Sequence, residues 1–207
     1  YTIAQLVQVL YNLVDRIYIG HMAKDASLAL TGVGLTFPII SIISAFGFLF
    51  SSGGAPLCSI ERGRGNHEKA KKLLGNCFSM LIFTAILMML IFYIFMRPIL
   101  FAFGASEATY VYASQYLVIY LLGTIFTMVS SGMNAFINAQ GFSRVGMATT
   151  VVGAVANIIL DPIFIFGLLG FPKMGIIGAA VATIFGQTVA MLMALYFNIK
   201  KNNEVRF

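Results

Sequence analysis

Long apolar runs alternate with short polar segments along the whole chain. No Asp, Glu, Lys or Arg occurs between Asp25 and Glu61, between Lys72 and Arg97, between Glu107 and Arg144, or between Lys173 and Lys200. A membrane-spanning helix needs about 20 mostly apolar residues, and each of these gaps is long enough. The runs are continuous and do not alternate, so a closed barrel is excluded. Backbone satisfaction in lipid then leaves helices. The pattern predicts six spans, at about 1–20, 32–58, 72–96, 109–138, 147–168 and 175–199.

Composition agrees. Of 207 residues, 59% are apolar and only 10% are charged, against about 25% charged in a soluble domain. An all-α polytopic membrane protein is expected. Disorder, a disulfide scaffold and a secreted enzyme are excluded. The net charge of +6 is no nucleic-acid footprint, because the basic residues sit in short clusters between apolar runs. Cys58 and Cys77 share no metal-like spacing and read as unpaired thiols.

Loop charge sets the expected orientation. Arg62, Arg64, Lys69, Lys71, Lys72, Arg144, Lys200, Lys201 and Arg206 lie on one side, and Lys24, Arg97 and Lys173 on the other. The nine-to-three bias puts both termini in the cytoplasm of a multi-pass protein. The chain opens at Tyr1-Thr2-Ile3-Ala4, without Met or a basic leader, and reads as entered inside a helix. Residues 200–207 read as a polar linker, so a piece of a longer protein is expected.

Polar groups inside membrane helices cost stability, so they mark candidate sites. On the fifth helix Thr150, Asn157 and Asp161 share one face, with Gly153 leaving room beside them. Pro162 removes a backbone donor next to the carboxylate, and a kink is expected there. A carboxylate, an amide and a loosened backbone together resemble a proton or cation site. The plainer alternative is that Asp161 lies near the outer end and faces water. On the first helix Gln5, Gln8, Asn12 and Asp15 fall within a narrow arc, and Tyr11 lies one turn below Asp15. Arg16 points about 100° away, so it is not automatically the partner of Asp15. An interfacial ion, with Arg16 snorkelling, is the alternative there. Thr127, Ser131, Asn134 and Asn138 share a face of the fourth helix, and Thr183 and Gln187 lie one turn apart on the sixth. Either set lines a wet cavity or bonds neighbouring helices. The small residues Gly175, Gly178, Ala179, Ala182 and Gly186 read as close helix packing.

Catalytic chemistry is missing from the sequence. There is no nucleophile elbow and no phosphate-binding glycine loop, and Glu61-Arg62-Gly63-Arg64-Gly65 reads as a solvated turn. His21 and His67 read as ordinary loop histidines. Neither an enzyme nor a resident cofactor or metal is expected.

Several segments resemble one family. Tyr11-Asn12-Leu13-Val14-Asp15-Arg16-Ile17-Tyr18-Ile19-Gly20 is similar to the first-helix signature of the multidrug and toxic compound extrusion (MATE) transporters. Leu35-Thr36-Phe37-Pro38-Ile39 resembles their second helix, and Gln140-Gly141-Phe142-Ser143-Arg144 the turn after helix four. Asn157-Ile158-Ile159-Leu160-Asp161-Pro162-Ile163-Phe164-Ile165-Phe166 is the most specific resemblance. Gly175-Ile176-Ile177-Gly178-Ala179-Ala180-Val181-Ala182-Thr183 resembles the start of helix six. Order and spacing agree along essentially the whole chain.

The resemblance implies a twelve-helix antiporter of two six-helix lobes. Residues 1–199 would be the N-terminal lobe, and 200–207 the start of a cytoplasmic linker to a C-terminal lobe. It implies cation coupling at Asp161 and Asp15, in one cluster with Tyr11, Asn157 and Thr183. Asn134 or Asn138 would supply the helix-four member. Asn12, Asn134, Asn138 and Gln187 are candidates for cavity lining, and Pro162 for a hinge. The implied function is export of amphipathic, often cationic, drugs or metabolites across a bacterial inner or plasma membrane. H⁺ or Na⁺ would be the coupling ion, with Na⁺ at Asp15 and Asp161. Expected partners are the small-molecule substrate and the bilayer, and no nucleic acid. A lipid-linked precursor flippase of the related superfamily, or a non-transporting assembly module, are the alternatives.

Overall fold

The computed structural model describes residues 2–21 and 26–201, without the side chains of residues 2–5, 8, 9, 11, 12 and 201. The described residues form α1 (Thr2–Gly20), α2 (Ala26–Gly63), α3 (His67–Ile94), α4 (Met96–Ala102), α5 (Glu107–Leu122), α6 (Thr124–Ala139), α7 (Ser143–Phe166) and α8 (Ile176–Tyr196). A short 3₁₀ turn follows α7 and a π-helical turn follows α8. There is no strand among the described residues.

Four helices, α2, α3, α7 and α8 with its extension, are long and apolar enough to cross a membrane, and α5 with α6 makes a fifth. The helix α1 is not among them, because Gln5, Gln8, Asn12, Asp15 and Arg16 lower its mean hydropathy. It still packs along α7 and α2. Leu6, Leu10, Leu13 and Ile17 form its exposed apolar stripe, while Asp15 and Ile19 are buried. In a bilayer such a stripe meets lipid tails and needs no protein cover.

Three boundaries differ from the sequence reading. The expected span at 109–138 is two helices bent by 55° at Gly123. A Cβ there would strike Ile184 of α8, so the bend brings the backbone close onto α8. The expected loop after residue 96 holds the short helix α4, and Arg97 at its start pairs with Glu107 at 3.0 Å. The helix α2 has 38 residues, about 57 Å at 1.5 Å per residue, well beyond an apolar core of about 30 Å. Its last turn continues past the apolar run and meets the α6–α7 turn.

That end is tied down by polar side chains. The Ser59 hydroxyl donates to the Ala139 carbonyl at 2.7 Å, and Arg62 Nη1 donates to the Gln140 carbonyl at 2.7 Å. Glu61 is buried and accepts from Arg64 Nη1 at 3.0 Å and from Lys69 Nζ at 3.2 Å. The Lys69 hydrogen bond, opposed in part by burial and reinforced by the Lys69 and Arg64 charges, holds the Glu61 carboxyl below the usual carboxylate range. A depressed carboxylate stabilises the fold above its unfolded-state pKa, and the effect is lost as pH falls through the folded-state value. Glu61→Gln is therefore expected to lower the Tm at about pH 7, and to lower it less at an acidic pH below the folded-state value. Melting curves of the purified protein check this, and equal losses at both pH values would contradict it.

The helices α7 and α8 approach most closely at small residues. A Cβ on Gly178 would lie 2.6 Å from the Phe164 carbonyl oxygen, and one on Gly186 would lie 2.6 Å from that of Gly153. The small residues of α8 thus act in packing, as their spacing indicated. This seam sets the position of the polar residues that both helices carry.

Candidate functional site

On α7, Asn157 and Asp161 lie one turn apart and both side chains point inward, at 2% and 0% exposure. Asn157 Nδ2 donates to Asp161 Oδ1 at 3.3 Å and to Thr183 Oγ1 on α8 at 3.4 Å. The Thr183 hydroxyl in turn donates to the Ala179 carbonyl at 3.0 Å. A single amide thus joins the carboxylate of α7 to the hydroxyl of α8. The helix α7 is helical on both sides of Pro162, with no break beside Asp161.

Asp15 reaches the same region from α1. It is 7% exposed, on a helix that packs along α7. Among the described residues, Asp15 Oδ1, Asp161 Oδ2 and Asn157 Oδ1 are buried and have no hydrogen-bond donor. Leaving a buried acceptor unpaired costs about 1–3 kcal/mol. Three such oxygens on two packed helices form a site rich in acceptors and poor in donors. A proton on either carboxylate, or a small cation among the oxygens, would relieve it.

Beside this cluster lies a cavity of about 710 Å³. Asn157 and Thr183 stand between it and Asp161, which does not line it, whereas Asp15 does. The opposite wall comes from α2, α5 and α6. Tyr116 and Tyr120 of α5 stack with ring centroids 6.1 Å apart. Ser44 and Ser51 of α2 return their hydroxyl protons to their own helix, at 2.9 Å to Ile40 and 2.6 Å to Gly47.

The sequence-predicted residues divide into two groups. Asp161, Asn157 and Thr183 are hydrogen-bonded together, and Asp15 is buried on α1, which packs along α7. The side chains of Tyr11 and Asn12 lie outside the described residues. Asn134 and Asn138 of α6 line the cavity, as does Gln187 of α8. Asn134 Nδ2 donates to the Gly146 carbonyl at 2.7 Å and also bonds Thr149 and Thr150, while Asn138 Nδ2 donates to the Asn134 carbonyl at 3.0 Å. The Asn134 contacts fasten α6 to the start of α7, and that of Asn138 stays within α6. Residue 150 is 11 positions from Asp161, about 16 Å along a helix at 1.5 Å per residue. Neither asparagine therefore bonds the carboxylate cluster. The sequence reading missed the serines and tyrosines of α2 and α5. Ser41, Ser44 and Ser51 recur at helical spacing and carried the only available signal.

Comparisons with known proteins extend this picture. The MatE family model matches residues 1–163. The multidrug export protein MepA of Staphylococcus haemolyticus is 31% identical over 209 residues, which cover 99% of this chain and 44% of MepA. The FAD transporter of Shewanella oneidensis is 27% identical over 192 residues, covering 93% of this chain and 42% of that protein. A crystal structure of MATE in the bent conformation superposes with a TM-score of 0.88 at 26% identity, over 99% of this chain and 44% of that one. The chain thus spans less than half the length of the relatives it matches.

Proposed function

The chain belongs to the MatE family, and from that premise we propose that residues 1–199 form a six-helix membrane lobe of a secondary active exporter. Its substrates are amphipathic drugs or metabolites, cations among them, exchanged for H⁺ or Na⁺. The observation that carries the reading is the donor-poor cluster of Asp15, Asn157 and Asp161 beside a cavity of about 710 Å³. A coupling ion needs buried acceptors that it alone satisfies. A substrate needs a mixed apolar and polar chamber that communicates with them. Asp161 and Asp15 take up the ion, and Asn157 and Thr183 transmit the change to the α7–α8 seam and the cavity wall. Tyr11 belongs to the same cluster, and Asn12 to the cavity. Pro162 is the hinge that lets the outer end of α7 swing. A second six-helix lobe completes the chamber, joined through residues 200–207. The named relatives, a multidrug export protein and an FAD transporter, are consistent with transport of small molecules.

The reading is tested by ethidium efflux from cells expressing the native-length protein. Efflux is expected to stop when the H⁺ and Na⁺ gradients are collapsed, and to persist when ATP is depleted with a gradient imposed. Persistence without either gradient would refute the antiport reading. Collapsing each gradient separately then identifies the ion.

A further inference from the structure

Asp15 and Arg16 are the only charged residues among the described ones that line the cavity, and the coupling cluster leaves Arg16 unused. Asp15 is buried against α7, whereas Arg16 is exposed on the cavity side of α1. No ion pair to Arg16 occurs among the described residues. Asp15 acts on it only through space, as expected for neighbours about 100° apart on a helix.

Phe37 of α2 holds the guanidinium in place, with its ring centroid 4.7 Å from Arg16 Cζ. A ring beneath a guanidinium attracts its charge, and the N–H edge of the planar group stays available. That edge is a planar fork of donors matched to the two oxygens of a carboxylate or phosphate. Ser41 and Ser44 follow Phe37 by four and seven residues, so they lie on the same face of α2, and both line the cavity. The wall therefore combines a cation, an aromatic face and two hydroxyls. The stacked Tyr116 and Tyr120 of α5, which packs against α2, also line the chamber. A purely cationic guest would leave the Arg16 fork unpaired.

We propose that the cavity takes aromatic organic anions, with Arg16 holding the carboxylate or phosphate and Ser41 adding a hydroxyl contact. This deepens the export reading, since it names a substrate class for the same chamber. The test separates binding from transport. Fluorescein and ethidium serve as anionic and cationic probes, titrated by fluorescence polarisation against the native-length protein in detergent. Arg16→Gln is expected to lower the ratio of fluorescein to ethidium affinity about tenfold, the loss of one charge-assisted pair. Arg16→Lys keeps the charge but not the fork, and a fall of about threefold is expected. That variant carries the test if the glutamine form does not fold. An unchanged ratio in both variants, or no fluorescein binding by the parent protein, overturns the proposal. Arg16-dependent fluorescein binding with no gradient-driven movement of either probe in proteoliposomes supports this inference and sinks the export reading.

Discussion

Asp161→Asn is expected to abolish gradient-driven efflux, cutting it at least about tenfold, as for loss of a buried group that must change charge. Asparagine has nearly the shape of aspartate, and its own carbonyl oxygen replaces Asp161 Oδ1 as acceptor for Asn157 Nδ2. The link from Asn157 to Thr183 is then kept, so the α7–α8 seam is preserved. What disappears is a group that exchanges a proton or holds a cation. The present cluster has three orphan acceptors; the variant places an amide donor among them. It therefore settles permanently into a state like the ion-loaded one, and the cycle stops. Initial rates of ethidium efflux at matched expression are the measurement. Unchanged rates would end the assignment of Asp161. Asp15→Asn probes the other carboxylate. A double variant no worse than Asp161→Asn alone is expected if the two act as one unit, because coupled groups are not additive.

The features legible in the sequence were those carried by one helix at a time. The Asn157 and Asp161 face of α7 follows from their spacing alone, and a buried carboxylate there demands an explanation whatever the neighbours are. The continuous apolar runs likewise located the spans of α2, α3, α7 and α8. What stayed hidden depends on contacts between helices. The bend at Gly123 is set by Ile184, 61 residues further on, which no local pattern reports. The same limit applies to Asn134 and Asn138. Their spacing offered a cavity or an interhelical bond as alternatives, and Asn134 gives both at once, whereas Asn138 lines the cavity and bonds within α6. Ser44 and Ser51 bond to their own helix, and only the fold shows that they also face the chamber. Arg16 was ambiguous for a related reason. A snorkelling arginine and a cavity arginine look alike until Phe37 is seen beneath it.

Gly186→Val is expected to produce the largest structural defect of any single change at the site. A Cβ at Gly186 would lie 2.6 Å from the Gly153 carbonyl oxygen and 3.1 Å from Asn157 Cβ. The first neighbour is helix backbone, which cannot rotate away, so α7 and α8 must separate. Overpacking of this kind costs about 1–3 kcal/mol. Helix association in lipid rests on van der Waals contact without a hydrophobic drive, so little else compensates. The Asn157–Thr183 bond is already 3.4 Å long and lies one turn from the contact, so a separation of a few tenths of an ångström breaks it. Asn157 then leaves Thr183, and the carboxylate loses its connection to α8. The expected result is a lower folded yield, a lower Tm and efflux reduced at least about tenfold in whatever folds. Gly53→Val on α2 is the control, since a Cβ there has nothing within 4 Å. It removes a helical glycine without closing on a neighbour. Size-exclusion profiles, melting curves and efflux of the two variants side by side decide the matter. If Gly186→Val behaves like Gly53→Val, close contact at the seam is not what positions Asn157 and Asp161. If only Gly186→Val fails, the small residues of α8 are the means by which the sequence brings two helices near enough to share one ion-binding cluster.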